Sequence, residues 1–114
     1  MEGYQSFRPR GATFEVMGST PATNAVSRAQ GPVSGEVVYM VYNRGAVDAY
    51  LAYGMTSDAA LASAVIPLTG TGPQAVLPCP AGSVQAFTLS PMLFFCAVVP
   101  SGNAGLMITP GEGV

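Results

Sequence analysis

The sequence contains no Lys, no His and no Trp among its 114 residues, and only two Cys. Without His there is no Ser-His-Asp triad, no Cys-His nucleophile pair and no His-bearing zinc or iron site. Without Lys there is no Schiff base and no P-loop lysine. Two Cys cannot build a four-cysteine zinc site or an iron–sulfur cluster. Charge is equally scarce. Charged residues make up 9% of the chain, against about 25% in ordinary soluble domains. Four Arg against six acids give a net charge of −2, the wrong sign for tracking a nucleic-acid backbone. These absences point away from catalysis: no enzyme, cofactor, metal or small-molecule substrate is expected.

What remains is apolar and rich in turn formers. Hydrophobic residues are 49% of the chain, with 14 Gly and 10 Pro, and the mean hydropathy is +0.39. A chain of this size is expected to form one modest core, burying roughly two-thirds of its unfolded surface. So few charges leave an isolated monomer poorly guarded against self-association, and a homo-oligomer, dimer or trimer, is expected. The longest apolar run, Met92 to Val99, falls far short of the ~20 residues of a helical membrane span. Met1-Glu2-Gly3-Tyr4 has neither the basic start nor the apolar stretch of a secretory leader, so synthesis in a cytoplasm is expected. There Cys79 and Cys96, each inside an apolar stretch, are expected as buried reduced thiols. A disulfide between them is the alternative.

Charge and turn residues divide the chain. Three of the four arginines, Arg8, Arg10 and Arg28, lie in the first third, which Pro9, Gly11, Gly18, Pro21, Gly31 and Pro32 also punctuate. Residues 1–33 are therefore expected as an extended arm with one strand over 13–17. From there the pattern changes to short β-type runs between turns: 36–42, 49–53, 64–68, 74–77, 83–89, 92–99 and 104–109. Ser83 to Leu89 alternates polar and apolar side chains, as a half-buried strand does. Only 57–63 looks helical, with alanines inside and Thr56 or Ser57 as cap. Residues 110–114 are expected as a tail. Seven or eight strands at this spacing predict an all-β fold, an antiparallel sandwich of jelly-roll or immunoglobulin-like type over 34–114, preceded by the arm.

Few residues suggest chemistry. Gly70-Thr71-Gly72-Pro73-Gln74-Ala75 fits a relaxed dinucleotide fingerprint, but Pro78 and Pro80 forbid the helix it needs. Asp48 and Asp58 have no calcium-loop spacing. Tyr39 falls on the opposite strand face from Tyr42, and Tyr50 from Tyr53, so no aromatic platform for a sugar follows from simple alternation. The arm offers more: Phe7, Arg8, Arg10, Phe14 and Arg28 combine apolar anchors with guanidinium forks suited to a protein interface. These five are the candidate interface, docked on a neighbouring subunit.

The segments Val41-Tyr42-Asn43-Arg44-Gly45 and Val76-Leu77-Pro78-Cys79-Pro80, with the ending Thr109-Pro110-Gly111-Glu112-Gly113, resemble small virion accessory proteins of tailed bacteriophages. The resemblance covers about residues 36–114 and excludes the arm. It implies a non-enzymatic capsid decoration or cement protein in the virion, bound to the major capsid protein or other virion subunits, with no nucleic acid or membrane as partner. The alternatives are a receptor- or carbohydrate-binding module and a neck, tail or fibre attachment component.

Overall fold

The computed structural model describes residues 7–20, 27–28, 31, 35–66 and 76–112. In chain order its elements are β1 (Arg8–Pro9), β2 (Phe14–Gly18), β3 (Ser27–Arg28), β4 (Val37–Asn43), β5 (Ala49–Gly54), α1 (Ser57–Ala62), β6 (Val76–Cys79), β7 (Val84–Leu89), β8 (Phe94–Val98) and β9 (Ala104–Glu112). The fold is all-β apart from the one short helix. The strands form two antiparallel sheets. The first runs β1-β9-β4-β7, with β2 also paired to β9; the second runs β3-β8-β5-β6.

Period-two alternation explains how the sheets meet. The register sets Tyr39 of β4 between Pro110 of β9 and Phe87 of β7, and Val41 beside Ile108. Val16 of β2 lies opposite Leu106. These side chains share one face and pack against Leu51, Phe95 and Ala97 of the second sheet and Val99 just past β8. The Tyr39 and Phe95 rings meet edge to face with centroids 5.0 Å apart. Burying each such large apolar side chain contributes roughly 1.5–3 kcal/mol. The helix covers the back of the second sheet, where Ala52 and Ala60 are fully buried. Gly54 permits that approach, because a Cβ there would come within 2.8 Å of the Ala60 backbone nitrogen. Thr56 caps the helix by accepting the Ala59 N–H at 3.1 Å.

Four expectations change. The strand expected at 13–17 is β2, and it belongs to the first sheet of this chain together with β1, while β3 joins the second. The described part of the supposed arm is thus woven into both layers, because Val16 is as deeply buried as any core residue. Residues 64–66 are not a strand; the rest of the run expected at 64–68 lies outside the described residues, as do the whole turn at 69–73 and the start of the strand expected at 74–77, whose observed counterpart is β6. The expected tail continues β9 through Glu112, since Pro110 and Gly111 both stay in register with β4. Cys79 and Cys96 are both buried thiols. They sit opposite Ala49 and Ala52 of β5, an odd separation that puts them on opposite faces of the sheet.

Candidate functional site: an apolar sheet face

The same alternation that fills the core also fixes what the first sheet presents outward. On β4 the outward residues are Val38, Met40 and Tyr42, flanked by Met107 and Thr109 of β9 and by Val84, Ala86 and Thr88 of β7. One row across the sheet reads Glu15, Met107, Tyr42, Val84. Val84 is 60% exposed, Tyr42 43% and Met17, at the β2 side, 41%. Strand β4 is apolar at both parities, the pattern of a strand covered on two faces. Its core face is fully covered and its outer face only in part: Val38 is buried and Met40 half-buried, while Tyr42 stands open. Exposed apolar area of this kind marks an interaction surface more often than a solvated one.

Among the described residues, charge on that face is confined to one corner, and the second charged cluster, at the far end of β9, has the opposite parity. At one corner Arg44 Nη2 and Nε donate to Glu15 Oε2 at 2.7 and 2.8 Å. The pair lies across Gly105, where a Cβ would run into the Glu15 carboxylate and crowd Arg44 Nε. At the other end of β9, Arg10 Nη1 donates to Glu112 Oε2 at 2.8 Å, with Arg8 3.9 Å from the same oxygen. Both clusters are exposed, so each contributes at most about 1 kcal/mol to stability. Thr13 and Thr109 join hydroxyls at 2.6 Å beside them.

The five candidate interface residues do not form one patch. Antiparallel pairing of β1 with β9 sets Arg8 opposite Glu112, so Arg8 and Arg10 spend their forks on this chain's own carboxylate. Phe7 lies over Gly111. Phe14 turns inward, its ring centroid 6.1 Å from that of Phe95. Arg28 falls in β3, opposite Phe94 in the other sheet. The sequence reading missed Met40, Val84 and Met107 and weighed Tyr42 only as part of a sugar platform; for Met40 and Tyr42 the signal was the unbroken apolar run of β4, while Val84 and Met107 join them only through pairing.

A cleft of about 460 Å3 opens beside the end of β7, lined by Glu36, Tyr53, Met55, Thr88, Ser90 and Leu93 with the bare backbones of Gly35 and Gly54. Tyr39 braces its floor by donating to the Ser90 carbonyl at 2.8 Å. Nearby Met92 holds a left-handed backbone, φ 59°, which costs an ordinary side chain of order 1–3 kcal/mol. Burial pushes the Tyr39 hydroxyl and the Cys96 thiol up, and the Cys79 thiol up to about 11. All three stay protonated near neutrality, which suits packing and not nucleophilic attack. Among the described residues no cluster of His, Cys, Asp or Glu could hold a metal ion, and no helix is long and apolar enough to cross a membrane. Neither a protein-family model, nor a curated protein, nor a solved structure matches this chain.

Proposed function

We propose that this chain is a non-enzymatic structural protein of a tailed-phage virion, a decoration or cement protein that docks on capsid subunits. The observation that carries this reading is strand order. Strands β2-β9-β4-β7 facing β3-β8-β5-β6 follow the order of a jelly roll, in which successive strands change layer except for one neighbouring pair, here β5 and β6. Jelly rolls recur in viral capsid domains. Fold alone assigns no function, so the exposed face of the first sheet is the second support. Met40, Tyr42, Val84 and Met107 supply the aromatic and Met side chains enriched at the centres of protein interfaces, and charge stays at the rim. Repetition over many copies makes a modest affinity per copy sufficient to stiffen a shell.

Co-sedimentation of the purified protein with tail-less heads of the encoding phage tests this reading. Saturable binding at a fixed ratio to the capsid subunit is expected; absence of binding overturns it. Jelly rolls also serve as lectin domains, and the cleft that brings Tyr53, Glu36 and Ser90 together favours carbohydrate binding as the second reading. A glycan array in which Tyr53→Ala abolishes a specific signal would select that reading instead.

A further inference from the structure

Every open sheet edge presents a row of backbone groups that can recruit another strand. Among the described residues five strands lie at sheet edges, and four of them carry features that discourage it. β1 holds Pro9 between Arg8 and Arg10, β2 carries Glu15 and ends on Gly18, β6 holds Pro78, and β3 is only two residues long. β7 is different: Val84-Gln85-Ala86-Phe87-Thr88-Leu89 is six residues long, without charge, Pro or Gly. Among the described residues nothing pairs with its outer side.

The hydrogen bonds of β4 show which groups of β7 face outward. Asn43 N–H donates to the Ser83 carbonyl at 3.0 Å, and Arg44 N–H to the Gly105 carbonyl at 3.1 Å. Antiparallel alternation then turns the odd residues of β4 toward β7 and the even ones toward β9. Their β7 partners Gln85, Phe87 and Leu89 are satisfied by β4, which leaves the N–H and C=O of Val84, Ala86 and Thr88 on the open edge.

We infer that β7 pairs antiparallel with β7 of a second copy, joining two first sheets into one continuous sheet. A two-fold axis normal to the sheet keeps both cores on one side, so only residues of like parity meet. Centring the axis on Ala86 sets Ala86 against Ala86 of the other copy and Val84 against Thr88. All three open residues then fall in hydrogen-bonded pairs, giving about six new backbone hydrogen bonds. No charge opposes a like charge, because β7 carries none. Val84, the most exposed apolar residue of the outer face, acquires a β-branched cross-strand neighbour. The outer apolar face also runs unbroken across the axis. The edge is about 20 Å long and buries less than the ~1,200 Å2 of a standard interface, so a micromolar dimer is expected. The inference rests on the edge alone and stands with or without the virion reading.

Sedimentation equilibrium of the full chain, from low micromolar to millimolar concentration and with no phage particle present, tests it. A monomer–dimer equilibrium is expected. Ala86→Lys, which sets two ammonium groups opposite each other, should raise the dissociation constant about tenfold or more. Met17→Lys, on the same face at the far side of the sheet, should leave it unchanged. Should Ala86→Lys unfold the chain, Thr88→Pro, which removes an outward N–H that the pairing uses and none that β4 uses, should weaken the dimer in the same way. Ala86→Cys should cross-link through a short bismaleimide, since both native thiols are buried. A monomer at every concentration overturns the inference, as does a dimer indifferent to the β7 substitutions. A monomer whose β7 edge instead takes up an added extended peptide would assign the edge to another chain and overturn it too.

Discussion

Asn43 is the one fully buried polar side chain among the described residues. Its amide donates to the Val47 carbonyl at 3.0 Å and the Cys79 carbonyl at 2.8 Å, while its Oδ1 accepts the Gly45 N–H at 2.9 Å. It therefore pins the β4–β5 turn to β6, across the two layers. Asn43→Ala would strand two carbonyls and one N–H, and should cost about 3 kcal/mol in urea unfolding. Asn43→Asp should be at least as damaging, because a carboxylate cannot donate to either carbonyl. The buried thiols predict an alkaline effect. Cys79 is pushed from an ordinary 9.0 up to about 11, with Cys96 and Tyr39 displaced in the same direction. Between pH 9 and 11 the folded chain keeps a proton that the unfolded chain has lost, so stability falls as pH rises through that window. Thermal midpoints should therefore decline from pH 9 to 11. Cys79→Ala should flatten part of that slope while lowering stability at every pH, and an unchanged slope would contradict the assignment.

At the scale of elements, β1 and β2 are sheet strands and not a detachable arm. Removing residues 1–33 would strip β9 of its outer partners and uncover Leu106 and Ile108. Circular dichroism of that truncation should show an unfolded or molten chain; a natively folded one would contradict the sheet assignment. Gly111 has a narrower role. A Cβ there would run into the Arg8 carbonyl and the Phe7 ring, so Gly111→Ala should detach β1 and cost about 1–3 kcal/mol. Amide exchange at Arg10, whose N–H donates to the Pro110 carbonyl at 2.8 Å, reads this directly. The strands most legible in the sequence are β4, β5, β7 and α1's cap, where periodicity and local propensity agree. Those least legible are β1 and β3, two-residue strands that only long-range pairing creates. The Gly/Pro punctuation of the first third suggested a free arm because the partner that orders it, β9, lies at the other end of the chain. The candidate site was hidden for a related reason. Alternation alone sets Tyr42 opposite Tyr39, but Met40 and Tyr42 read as core by composition, and only the pairing with β7 and β9 shows that theirs is the outer face.

For the whole molecule, the relation between scarce charge and exposed apolar surface is the main physical fact. Net charge of −2 over 114 residues gives little electrostatic resistance to association, and of the ion pairs among the described residues only Glu15–Arg44 lies on the face that Met40, Tyr42 and Met107 occupy, at its corner. The proposed docking belongs to that face. Removing Arg8 and Arg10, in contrast, should weaken particle binding little, since both guanidinium groups already serve Glu112. The most direct measurement is co-sedimentation with tail-less phage heads of the wild type beside Tyr42→Asp, a substitution at an exposed position that leaves the core untouched. A central aromatic anchor is worth at least about 2 kcal/mol, so binding should weaken roughly 30-fold or more with the fold intact. Binding equal to wild type would contradict the account and move the docking surface elsewhere on the molecule.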